Sequence, residues 1–148
     1  MCCVWISFEA SPAFAYSKPA GEECVHLRAN RCRIHAQKAA QGFAGCAAYD
    51  CHGAGQRATA LLAREEQQRS LEGHAPLAER EKYDAFAVLR ELHELAWMLR
   101  GAAEVFGVDA ALLLERIDRL AQGDLVDVLA VDSDALRIEV RALLPTRR

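Results

Sequence analysis

Phe86-Ala87-Val88-Leu89-Arg90-Glu91-Leu92-His93-Glu94-Leu95-Ala96-Trp97-Met98-Leu99-Arg100-Gly101-Ala102-Ala103-Glu104-Val105-Phe106 is the stretch that decides the fold class. Phe86, Leu89, Leu92, Ala96, Leu99, Ala103 and Phe106 recur with the period of one helix face. Leu95, Met98, Ala102 and Val105 widen that stripe, so the helix is expected to pack on two sides, starting from about Leu77. Gly107 stops it, as a glycine just past a helix commonly does. Upstream, the breaker Gly73-His74-Ala75-Pro76 separates it from a helix expected over Gly55 to about Leu71, through Ala58, Leu61, Leu62 and Glu65. Downstream, Asp109 is the expected cap of a helix carrying Leu113, Leu114, Ile117 and Leu120 and stopping near Gly123. A last helix carries Leu136, Val140, Leu143 and Leu144 and is expected to stop at Pro145. Breaks this short favour antiparallel neighbours in a small bundle.

The remainder of the chain reads differently. Pro12, Pro19, Gly21, Gly42, Gly45 and Gly53 punctuate an irregular head, in which one short helix from Arg33 to Ala40 is expected. All six cysteines, Cys2, Cys3, Cys24, Cys32, Cys46 and Cys51, fall in this head. The division is therefore a cysteine-rich head over 1–56 and a helical region over 57–148, expected to form one compact domain. The fold class expected is mainly α: an irregular, metal-binding head packed on a small antiparallel helical bundle.

The 148 residues are 52% hydrophobic and 26% charged, which fits a globular domain rather than a disordered chain. With a formal net charge of −3 there is no basic excess to drive binding to a phosphate backbone, and no nucleic-acid partner is expected. No run approaches the ~20 apolar residues of a membrane span. Ala13-Phe14-Ala15 has the small-x-small form of a secretory cleavage site, but no Lys or Arg precedes it and Glu9 interrupts the apolar run. The expected location is the cytoplasm, a reducing compartment where clustered thiols bind metal or do redox work more often than they form structural disulfides.

From Cys24 onward the cysteines are spaced C-x7-C-x13-C-x4-C. Four thiolates can converge on a zinc at about 2.3 Å or surround an iron–sulfur cluster, and either would hold together a segment with few apolar residues. Glycines around Cys46 and Cys51 would let the backbone turn about such a centre. The expected ligands are Cys24, Cys32, Cys46 and Cys51, with Cys2 and Cys3 joining the same site or a second one. Because both metals accept four thiolates, the spacing does not separate zinc from iron. His26, His35 and His52 lie close enough in sequence to ligate, although a lone histidine is more often a hydrogen-bonding neighbour. Gly53-Ala54-Gly55 lacks the remaining elements of a phosphate loop and reads as a turn. No nucleophile–base set or paired carboxylates stand out, so the chain gives no sign of an enzyme.

The run Cys24-Val25-His26-Leu27, Arg31-Cys32-Arg33-Ile34-His35, Cys46-Ala47-Ala48-Tyr49-Asp50-Cys51 resembles a cysteine-cluster family described as zinc- or iron-chelating. Gly42-Phe43-Ala44-Gly45-Cys46 with Tyr49-Asp50-Cys51-His52-Gly53-Ala54-Gly55-Gln56, and Leu92-His93-Glu94-Leu95-Ala96-Trp97, are similar to the N-terminal module of bacterial pentapeptide-repeat-containing proteins. The resemblance implies a metal-binding module. It departs at both ends. The family opening C-x2-C-x3-C-C is represented only by Cys2-Cys3, which raises the expectation of two thiols lost upstream, and no A-[DN]-L-x-x repeat follows Leu144.

The leading expectation is a zinc or iron–sulfur cysteine-cluster module with a structural or interaction role and a protein partner, of undetermined oligomeric state. The alternatives are a redox-active iron–sulfur or thiol/disulfide sensor or electron carrier, and a helical interaction domain with incidental cysteines.

Overall fold

The computed structural model describes residues 1–29 and 31–144. The protein is mainly α-helical and divides into two compact units, Met1–Asp50 and the chain from Cys51 on.

The second unit is a helical assembly organised around one element. α3 spans Ala54–Leu71, α4 Glu79–Phe106, α5 Ala111–Gln122, α6 Leu125–Leu129 and α7 Ser133–Leu143. α4 is the hub, in contact with α3, α5, α6 and α7. It begins where the Glu81 carboxylate accepts the Ala78 backbone N–H at 2.8 Å, one half of a capping box. It ends at Gly107, whose φ of +66° is a left-handed cap that a side chain would strain. Phe86, Leu89, Leu92, Ala96 and Leu99 are buried as their period requires.

The expected stripe fails at its C-terminal end. Ala103 is half-buried and Phe106 is 64% exposed, while Leu95 and Ala102 take the buried positions. A straight helix turns by 3.6 residues, so a seam facing its neighbours drifts across the sequence positions with length. The last turn of α4 projects Val105 and Phe106 outward. On α5 only Ile117 and Ala121 are buried, and Leu113, Leu114 and Leu120 are half-buried. α7 buries Leu136 and Val140. Pro145 lies outside the described residues.

One cap differs from expectation. Ala110, not Asp109, holds the N-cap position of α5, and the Asp109 carboxylate reaches the Ala111 N–H only at 3.5 Å. The extra helix α6 follows Gly123, opened by Asp124, which accepts the Asp127 N–H at 2.9 Å. Asp132 does the same for α7 through Ala135, also at 2.9 Å. The C-terminal carbonyls of α5 are met by Arg57 of α3, which donates to the carbonyls of Ala121 and Gly123.

The first unit is not the coreless segment its composition suggests. α1 spans Cys2–Trp5 and α2 Ala44–Ala48. Between them, β1 (Leu27–Arg28) and β2 (Arg31–Cys32) pair antiparallel with Leu27 opposite Cys32. Ala29 in their connection takes a left-handed φ of +45°, the backbone sign that tight hairpins need. The expected helix from Arg33 to Ala40 is reduced to a 3₁₀ turn at His35–Gln37 with no side-chain cap.

Phe8, Phe14, Tyr16, His26 and Phe43 form the unit's core. Phe8 stacks on Phe14 at 4.5 Å, and Tyr16 and His26 meet buried Phe43 edge-on at 5.5 and 5.1 Å. Gly45 has no side chain because Phe14 occupies the space: an added Cβ would run into that ring. The glycine therefore serves aromatic packing, not a turn around a metal.

Candidate thiolate metal centre

Backbone hydrogen bonds link several of the segments that carry the head's cysteines. The Cys24 backbone N–H donates to the Cys3 carbonyl at 2.8 Å, and the Leu27 N–H donates to the Cys24 carbonyl at 2.8 Å. Leu27 is paired with Cys32 across the hairpin, so α1, the residues before β1, and β2 form a continuous backbone path from Cys3 to Cys32. Cys46 sits on α2, whose Cys46 carbonyl accepts from Lys38 Nζ at 3.0 Å.

The electrostatics link the same four thiols. Burial pushes the Cys3 thiol above its ordinary range, and negative charge on Cys24 and Cys32 pushes it further; the N-terminal amine and Lys18 oppose this. Burial likewise raises Cys46, reinforced by Cys24, Cys3 and Cys32 and opposed by Lys38. Cys24 and Cys32 therefore lie near enough to act on both Cys3 and Cys46, and all four are half-buried. As their side chains stand, no group of three or more His, Cys, Asp or Glu among the described residues is arranged to hold a metal ion.

Two further side chains were missed in the sequence. Tyr16 donates its O–H to Cys24 Sγ at 3.2 Å and accepts the Val25 N–H at 3.2 Å. Burial, then this bond to Cys24, pushes its phenol up to about 12. Lys18 is 3% exposed, and its ammonium donates to the carbonyls of Val4, Pro19 and Glu22, each at 2.8 Å. Burial lowers its pKa, while Cys24, Glu22 and Cys3 pull it back up. An isolated Ser17-Lys18-Pro19 carries no periodic signal, so nothing local marks Lys18 as interior.

This cage anchors α1: Lys18 binds the Val4 carbonyl at its end, Gly21 donates to the same carbonyl at 3.0 Å, and the Cys24 N–H donates to the Cys3 carbonyl. Cys2 lies beside them on α1, half-buried.

Cys51 belongs to the other unit. Its thiol points to Gln56 Oε1 at 3.8 Å on α3, and its carbonyl accepts the Ala54 N–H at 2.9 Å. His52 follows in a left-handed conformation (φ +50°), its ring stacked on Trp97 at 4.8 Å and its carbonyl bonded to His93 Nδ1 at 2.7 Å. His26 is part of the aromatic core and His35 is exposed at the 3₁₀ turn. Tyr49 closes α2 as its C-cap residue.

The chain is similar to a protein described as "Uncharacterized protein YybG" of Bacillus subtilis (strain 168), 31% identical over 150 residues. The match covers 97% of this chain and 52% of the relative, so the chain spans about half the length of the curated relative it matches. No family model matches the chain, and no solved structure matches it. No helix among the described residues is long and apolar enough to cross a membrane.

Proposed function

We propose that the first unit is a metal-binding cysteine-cluster module, loaded with zinc or an iron–sulfur cluster, whose role is structural and supports binding to a protein partner in the cytoplasm. The observation that carries this is that the Cys3 and Cys46 thiols are both raised, each by burial and then by charge on Cys24 and Cys32. Burial and the charge of neighbouring thiols disfavour free thiolates at Cys3 and Cys46. A divalent cation converts that repulsion into ligation and displaces the protons. Lys18 and Lys38 supply positive charge beside the cluster, as a tetrathiolate of net negative charge requires.

The ligand set in this reading is Cys3, Cys24, Cys32 and Cys46. It replaces Cys51 in the quartet read from spacing by Cys3, and closing it on a metal draws in side chains that are not yet grouped as ligands. Cys2 is the reserve thiol on the same helix. A thiol/disulfide sensor is less well supported. Reactive thiols are those with lowered pKa, and Cys3 and Cys46 are shifted the other way.

Anaerobic purification followed by elemental analysis tests the proposal. One zinc per chain, or iron with sulfide and a brown colour, is the expected result. A metal-free chain whose first unit keeps its protection from amide exchange in chelator favours incidental cysteines instead.

A further inference from the structure

A cleft of about 280 Å³ lies between α4 and α7, and no cysteine lines it. Leu95 and Val140 close its base with almost no exposed surface, and half-buried Met98 supplies its apolar face. Its rim is charged and unevenly paired. Arg137 is occupied by the carboxylates of Glu91 and Asp134. The side chains of Arg90 and Arg141 also line the cleft and make no hydrogen bond or ion pair among the described residues, and that of Glu94 makes none either. Elsewhere in the unit Arg80, Arg100 and Arg116 each face a carboxylate at 2.8 Å.

Two unpaired guanidiniums against one unpaired carboxylate leave a single positive charge beside an apolar face. We propose that this cleft binds a small aliphatic monocarboxylate, its carboxylate between Arg90 and Arg141 and its chain against Met98. A planar carboxylate suits the guanidinium fork, which donates paired N–H bonds. A dianion such as phosphate would keep a charge unmatched beside Glu94 and leave the apolar face uncovered. At roughly 30 Å³ for each water-sized group, the volume takes about nine heavy atoms, the scale of hexanoate to octanoate.

The test is calorimetric titration of the full chain with octanoate, 1-octanol and inorganic phosphate in parallel, repeated on Arg90→Gln and Arg141→Gln. Both arginines are exposed, and the helical circular dichroism of the variants is expected to match the parent. The expected result is saturable binding of octanoate, weaker by about tenfold in each variant, with 1-octanol and phosphate binding at least about tenfold more weakly to the parent. Absence of saturable octanoate binding, equal binding of 1-octanol or phosphate, or unchanged affinity in folded variants would overturn the assignment. The ligand comparison on the parent chain decides the matter even if a variant fails to fold.

Discussion

The Cys24 amide is hydrogen-bonded to the Cys3 carbonyl at 2.8 Å, which ties the first helix of the chain to the segment that leads into its only described hairpin. Through this bond a cysteine at the extreme N-terminus is held beside one more than twenty residues later. The geometry of the thiol cluster therefore depends on how firmly α1 is anchored.

Lys18 is the anchor. Lys18→Met removes the ammonium from three backbone carbonyls and should destabilise the head by about 1–3 kcal/mol. Amide exchange at Cys24 and Gly21 should accelerate, because their acceptors lie on α1. Exchange rates matching the parent at both amides would show that α1 holds without the lysine.

Gly45→Ala should destabilise the head by about 1–3 kcal/mol, since the new methyl group overlaps the Phe14 ring. Shortening the ring in Gly45→Ala/Phe14→Leu should recover part of that loss. Additive losses in the double variant would place the strain elsewhere.

In the helical unit Leu99 is fully buried and Phe106 is 64% exposed. Leu99→Ala should cost about 2–5 kcal/mol in denaturant unfolding, while Phe106→Ser should stay within about 0.5 kcal/mol. A large loss for Phe106→Ser would mean that this residue is covered in solution.

Much of the helical unit was legible because its signals are local and repeated. The period through Leu89, Leu92, Ala96 and Leu99 located α4, and Gly107 its end. The helix α6 went unread because five residues carry too little period, although Asp124 is an N-cap in form. The head was poorly legible for a physical reason. Its core is made of aromatic residues far apart in sequence, Phe8 against Phe14 and Tyr16 against Phe43, which leave no periodic trace. Spacing grouped Cys51 with Cys46 because they are near in sequence, yet the boundary between the two units falls immediately before Cys51. Arg100 and Glu91 bridge α4 to Asp118 of α5 and Arg137 of α7, pairings that helical period does not announce.

The Glu66–Lys82 pair joins α3 to α4 at 2.9 Å and sets a pH dependence. The bond from Lys82 holds the Glu66 carboxyl below its usual range of about 4.5. A depressed carboxylate stabilises the fold above its unfolded pKa, and that contribution disappears as pH falls through the folded value. Lys82 is raised, chiefly by Glu66, so its contribution is present below about 10.5 and disappears as pH rises through its folded value. Glu66→Gln should flatten the acid limb of the helical unit's melting temperature, measured below pH 5 by circular dichroism, with little change in its shape at neutral pH. An acid limb unaltered by the substitution would assign the sensitivity to other carboxylates.

The proposed metal module makes its sharpest claim in the choice of ligands. Bound metal per chain should be measured after expression in metal-replete medium for the parent, Cys3→Ser, Cys46→Ser and Cys51→Ser. Loss of metal in Cys3→Ser and Cys46→Ser, with parent-level metal in Cys51→Ser, is the predicted result. Loss in Cys51→Ser with retention in Cys3→Ser would contradict it and restore the quartet read from sequence spacing.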